Sequence, residues 1–197
     1  MPISVFIDMT LSAIITVWSP GPNNILLLST ASQYGVKKNF RFMLGIWTGS
    51  LTLMCLSGIF CSTLGNLIPG IQPVMKYIGA AYILYLAWQT AKRQPPSASV
   101  QEKEPSYVMG IFLQLVNVKI IIYGLTMFSS YILPYESAIP VLFFFAVYLM
   151  ILGALGNLIW AFAGNILNRF YADHYKVMNA VMALLLVWCA LRIMGIL

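Results

Sequence analysis

No charged residue occurs over positions 9–36, 42–75 or 137–168. A helix crosses the hydrocarbon core of a bilayer with about 20 apolar residues, so each of these stretches can span a membrane. In lipid every backbone N–H and C=O must be bonded within the protein, which makes such runs helical spans. The rest of the chain agrees. Of 197 residues, 60% are hydrophobic and 8% charged, whereas a soluble domain carries about 25% charged residues. Too little polar surface remains to face water. The expected fold is a single all-α membrane domain.

Helix boundaries follow from charge and from proline and glycine. The spacing predicts six transmembrane helices, near residues 4–28, 42–64, 73–91, 107–132, 138–164 and 177–195. Gly65, Pro69, Gly70 and Pro73 divide the second from the third. Residues 94–104 form the most polar stretch and read as a linker, leaving halves of about 1–93 and 105–197. The gaps after helices one, three and five hold Lys37, Lys38, Arg41, Lys92, Arg93, Lys103, Arg169 and Lys176, against Lys76 and Arg192 on the other side. Basic residues mark cytoplasmic loops. Both termini are therefore expected outside the cytoplasm, in the periplasm if the host membrane is a bacterial inner membrane. The net charge of +6 is explained by this placement and implies no nucleic-acid partner.

The segment Met1–Thr10 has no basic residue and carries Asp8. It lacks the basic start of a cleaved signal, so the first helix is expected to be retained. Cys55, Cys61 and Cys189 lie inside apolar runs without metal-ligand spacing, and His174 is the one histidine. They read as packing residues and a solvated surface side chain; no metal site is expected. Lys76, Ala80, Leu84, Leu86 and Trp88 recur 100 positions later as Lys176, Ala180, Leu184, Leu186 and Trp188. This pairs helix three with helix six. Two halves of three helices each must then be inverted, a common build for secondary transporters.

Two segments place polar groups where lipid penalises them. The first is Ser19-Pro20-Gly21-Pro22-Asn23-Asn24 in helix one. Its prolines remove N–H donors and displace the carbonyls of Thr16 and Trp18, so the helix should break there. A break in hydrocarbon is tolerated only inside protein or along a cavity. Freed carbonyls could hold an ammonium, and a restarted helix N-terminus a carboxylate. The second is Asn117-Val118-Lys119 in helix four, with Gln114 a turn earlier. A lysine at mid-span costs about 2.5–3.5 kcal/mol, which marks it as a functional candidate, the alternative being a side chain that snorkels to an interface. None of Asp8, Glu102, Glu104, Glu136 and Asp173 lies in a span's interior, and Asp8 reaches inward only if helix one starts late. Either the Lys119 amine is neutral or its counter-ion comes from outside, and a substrate carboxylate would serve. Gly45 and Gly49 in helix two, and Gly153, Gly156 and Gly164 with Asn157 and Trp160 in helix five, read as close-packing faces.

With these residues in view, the chain resembles the LysE/RhtB family of bacterial amino-acid exporters over essentially its whole length. The resemblance rests on SPGPNN at 19–24, GAAYILYLAW at 79–88, LQLVNVKI at 113–120, GNLIWAFAG at 156–164 and ALLLVWCALRI at 183–193. The second-half counterpart of the PGPNN element usually reads Asn-Pro-Lys in that family. Here it is Asn117-Val118-Lys119, which removes a proline kink from helix four and matches the branch that carries cysteine and O-acetylserine. The resemblance implies export of such small neutral amino acids, by antiport driven by the proton motive force. The family's motif positions fall on Pro20, Gly21, Pro22, Asn23, Asn24, Asn117 and Lys119, with Gln114 added from its position beside them.

The reading is a transporter, not an enzyme, with an amino-acid substrate, protons and the lipid bilayer as partners. No cofactor is expected, since no P-loop is present to bind ATP. The site should lie near the midplane between helices one and four, with Lys119 also serving coupling. Export of homoserine or threonine is the alternative within the family. From other classes, a thiol-disulfide membrane protein would need cysteines in helices one and four, which have none. An intramembrane protease would need an acidic pair or histidine in the interior. A structural subunit would leave the cost of Lys119 unexplained, and a channel is separated from a carrier only by saturable, gradient-coupled flux. Oligomeric state, a homo-oligomer included, is left open.

Overall fold

A computed structural model describes residues 1–18, 21–64, 68–92 and 105–194, without the side chains of 64, 68–76, 78, 79, 82, 168, 169, 171, 172, 192 and 193. In chain order the elements are α1 (Ile3–Trp18), α2 (Pro22–Tyr34), α3 (Val36–Leu64), α4 (Ile68–Lys92), α5 (Tyr107–Leu115), α6 (Val118–Thr126), a π-helical turn (Met127–Ile132), α7 (Ile139–Ile166) and α8 (Asn168–Met194). No strand occurs among the described residues. Segments of α3, α7 and α8 are long and apolar enough to cross a membrane. Counting the bent pairs α1–α2 and α5–α6 as one span each raises the number to five; α4 is not among them. The linker at 94–104 lies outside the described residues.

The expected break in helix one is present: α1 and α2 meet at a bend of 49°. Pro22 opens α2, where a missing N–H costs no intrahelical bond. Helix four departs from expectation. Instead of one helix over 107–132, α5 and α6 meet at 60° although no proline intervenes. Asn117 replaces it. Its backbone is extended and its side chain accepts from the Lys119 N–H at 3.2 Å, so it ends one helix and caps the next.

Three other boundaries move outwards. α3 begins at Val36 rather than 42, because the turn from α2 takes a single residue, Gly35, at φ +80°. Its N–H bonds the Ala31 carbonyl at 2.9 Å, and this left-handed backbone favours glycine. Lys37, Lys38 and Arg41 are exposed on the first turns of α3 while Asn39 between them is buried. α4 begins at Ile68, so the expected breakers Pro69, Gly70 and Pro73 lie within it. Pro69, in the first turn, lacks only an N–H that has no helical partner, whereas Pro73, a turn further on, forgoes one intrahelical bond. α8 begins at Asn168 and takes up the polar stretch before 177, bending at His174 (φ −128°, ψ 28°). His174 is exposed and stacks on Phe170 at 4.4 Å.

Two apolar cores form the bundle. One gathers Ile25–Leu27 and Ala31 of α2, Phe42 and Ile46 of α3, Leu113 of α5, Ala161 of α7 and the α4–α8 pair. The other gathers Met9–Val17 of α1, Leu53 and Met54 of α3, Ile120–Ile132 beyond the second break, and Leu142–Leu149 of α7. Along α3 the first core precedes the second, and along α7 the order reverses, as antiparallel neighbours require. Glycines set how closely the helices cross. A Cβ on Gly45 would stand 2.0 Å from the Tyr107 carbonyl oxygen, one on Gly110 2.4 Å from that of Phe42, and one on Gly164 2.4 Å from that of Leu28. The packing role expected of Gly45, Gly49 and Gly164 is thus visible as backbone-to-backbone contact of α3 with α5 and of α7 with α2.

Candidate functional site

Between the two cores the two helix breaks meet. Gly21, Pro22, Asn23, Asn24, Gln114, Asn117 and Lys119, seven of the eight candidates from the sequence, line one cavity; Pro20 lies outside the described residues. The restarted helices α2 and α6 both point their N-termini into it. An N-terminus carries partial positive charge from its unbonded N–H groups. At α2 the capping position is Gly21, which has no side chain to accept from those groups.

Asparagine and glutamine side chains tie the breaks together. Gln114 donates to Ser50 of α3 and accepts from the Asn23 amide. The Asn23 oxygen accepts from Asn117 at 2.7 Å. One chain of bonds therefore runs α3, α5, α2, α6 and closes on the α6 cap. A second one starts at Asn24, which donates to the Val17 carbonyl at 2.8 Å and accepts from Asn157 of α7 at 3.0 Å. Buried polar groups in lipid must be paired, and these amides are. The broken end of α1 is held in the same way. Trp18 donates to the Leu152 carbonyl at 3.1 Å, and Trp160 donates to the Trp18 carbonyl at 3.0 Å. The Trp18 carbonyl freed by the break is thus engaged by Trp160. Gly156 makes the room, since a Cβ there would stand 2.6 Å from the Trp18 ring.

Lys119 sits on the second residue of α6 and reaches back to the first break. A Cβ on Gly21 would lie 2.9 Å from its Nζ and 3.1 Å from its Cδ. The glycine is needed there for close approach, not for backbone geometry, because its φ of −164° is ordinary extended chain. None of the described carboxylates lines the cavity, and Asp8 and Asp173 are exposed. The described salt bridge joins the Met1 amine, just before α1, to Glu136 in the turn before α7, at 3.5 Å. The cavity thus concentrates positive potential: one lysine and two helix N-termini.

The cavity measures about 30 Å³, room for a water or two, so an organic ligand enters only if its walls part. Those walls also include Ser50, Met54, Tyr123 and Met150, which the sequence did not single out, and Gly153, which lines the cavity instead of the packing face expected of it. Serine, tyrosine and methionine are unremarkable in spans, so only proximity to Lys119 on α6 could have flagged Tyr123. Around Gly153 there is open space, with nothing within 4 Å of where a Cβ would sit.

Comparison with known proteins gives a consistent picture. The family described as LysE type translocator matches residues 14–195. The chain is 38% identical to the cysteine/O-acetylserine efflux protein of Salmonella typhi, over 98% of this chain and 97% of the relative. It is 38% identical to the cysteine/O-acetylserine efflux protein of Escherichia coli (strain K12), over 91% of this chain and 92% of the relative. No solved structure matches.

Proposed function

The chain belongs to the LysE type translocator family, a multi-pass membrane protein by its helices, and from that membership we propose that it exports cysteine and O-acetylserine from cytoplasm to periplasm. The observation that carries the reading is the meeting of two helix N-termini and a lysine in one buried cavity between two apolar cores. A zwitterionic amino acid needs a strong site for its carboxylate and weaker acceptors for its ammonium. Lys119 and the N-termini of α2 and α6 supply the first. Side-chain oxygens of Asn23, Asn24 and Asn117 supply the second by exchanging partners within their network.

Transport follows alternating access. The bundle comprises six spans in two inverted halves, α4 and α8 serving as the third span of each, in the bacterial inner membrane with both termini periplasmic. Each half opens on a helix broken near its middle and restarted at Gly21 or Asn117, which supports the repeat. The cavity opens to one side as the halves rock about it. Export draws on the proton gradient by antiport: Lys119 carries a proton in one state and releases it in the other.

The test is efflux of radiolabelled cysteine and O-acetylserine from proteoliposomes, with and without an imposed proton gradient. Saturable, gradient-stimulated efflux of both is the expected result. Movement of threonine or homoserine instead would keep the family and overturn the substrates. Flux that neither saturates nor responds to the gradient would indicate a channel. A milder variant probes the geometry. Gly21→Ala adds a methyl group against Lys119 Nζ, and the flexible end of the lysine must yield. Export is expected to slow several-fold, on the order expected of displacing a positioned charge by a few tenths of an ångström, with the thermal unfolding midpoint almost unmoved.

A further inference from the structure

We infer that the Tyr123 hydroxyl recognises the substrate's side chain, donating a hydrogen bond to an acceptor such as the ester carbonyl of O-acetylserine. The inference rests on the export reading above and adds to it a residue that selects among amino acids.

Tyr123 lines the cavity and is 4% exposed. Its hydroxyl has no hydrogen-bond partner among the described residues. Elsewhere in the bundle tyrosine hydroxyls find partners: Tyr148 with Thr10 at 2.9 Å, Tyr131 with Ser12 at 3.2 Å and Tyr107 with Thr48 at 3.1 Å. A buried polar group left unbonded needs an explanation, because native structures rarely tolerate one. Trp47 and Thr90 also bury a polar atom without a partner among the described residues, but neither lines the cavity. Tyr123 alone combines the two conditions among these.

Its position fits the task. Tyr123 follows Lys119 by four residues on α6, so both lie on one face of the helix. The rise between them is about 6 Å, comparable with the reach of a short amino acid from its carboxylate to the end of its side chain. A substrate whose carboxylate meets Lys119 therefore places its side chain beside Tyr123. Met54, Leu149 and Met150 line the same wall and offer an apolar, adaptable surface for a methyl group. A phenol donates one strong hydrogen bond. An ester carbonyl accepts it well, whereas a thiol is a weak acceptor. Sites built around such a bond discriminate against ligands that cannot make it.

The experiment compares wild type with Tyr123→Phe in proteoliposomes, measuring initial efflux of O-acetylserine and of cysteine over a range of internal concentrations. The substitution removes only the oxygen, and no protein partner loses a bond. The expected result is a KM for O-acetylserine raised about tenfold, the effect of one lost hydrogen bond, with kcat within about twofold. The KM for cysteine should change by less than about twofold on the same argument, and the thermal midpoint should hold or rise. An equal rise for both substrates, or no change for either, overturns the inference while leaving the export reading intact. A fall in thermal midpoint with both activities reduced would assign the hydroxyl a structural role and overturn it too. Wild-type protein that moves neither substrate overturns the export reading itself, and the role of Tyr123 with it.

Discussion

Lys119→Ala should abolish export and leave the protein more stable than before. The two effects have opposite signs because one side chain answers to two demands. A lysine in the middle of a span costs about 2.5–3.5 kcal/mol of insertion free energy, and alanine relieves that cost. The Lys119 backbone N–H still caps on Asn117, so the second break survives. The substrate, however, loses the cation for its carboxylate. Removing one partner of a buried ion pair costs about 2–5 kcal/mol, a fall in kcat/KM on the order of a hundredfold or more. Efflux and thermal unfolding of the same preparations check both signs. Loss of transport with loss of stability would make Lys119 a structural residue. Lys119→Arg separates binding from coupling. Arginine keeps its proton at any relevant pH, so that variant should still bind substrate but should not couple export to the gradient. Gradient-driven export at the normal rate by Lys119→Arg would sink the proposed proton role.

How the sequence revealed this site, and where it did not, has a physical cause. Asn23, Asn24, Gln114, Asn117 and Lys119 stand out because polar groups in lipid are expensive, and all five line the cavity. The break in helix one is equally legible, since proline cannot continue a helix without cost. The break in helix four is not. Without a proline, LQLVNVKI reads as continuous apolar helix, yet Asn117 reaches its own chain and caps α6. Asparagine competes with the helix for backbone bonds wherever tertiary packing favours a bend. The early starts of α3 and α8 arise from a different ambiguity. A charge ends the stretch that can sit in lipid, but it does not end the helix, because Lys37, Lys38 and Arg41 simply face outwards from its first turns. Which buried tyrosine keeps an unused hydroxyl depends on contacts between distant segments, and no local pattern encodes it.

Gly45→Ala is expected to damage the fold more than any other single-methyl change at the described glycines. The added carbon would stand 2.0 Å from the Tyr107 carbonyl oxygen and 3.1 Å from the Gly110 Cα. Both are backbone atoms, so no side chain can rotate away; α3 and α5 must separate along their crossing. Gly110 meets the backbone of α3 just as closely, 2.4 Å from the Phe42 oxygen and 2.8 Å from the Ile46 nitrogen. Relief at one point therefore cannot come from a shift towards the other. Ordinary overpacking costs about 1–3 kcal/mol, and a clash this deep, backbone on backbone, should reach the top of that range or pass it. Gly45→Val, with two further carbons, should fail to yield folded protein. Gly110→Ala should resemble Gly45→Ala, and the double variant should cost less than the sum, because one separation of the helices relieves both. Gly153→Ala is the internal control. It lies on α7 with nothing within 4 Å of the new carbon, so its thermal midpoint should match wild type even though it borders the cavity. Unfolding in detergent, followed for all four alanine variants, decides the matter. Equal stability for Gly45→Ala and Gly153→Ala would show that α3 and α5 do not cross as closely as described. A large loss confined to Gly45 and Gly110 would place the tightest seam of the bundle between α3 and α5, at the end of α3 that bears Lys37, Lys38 and Arg41.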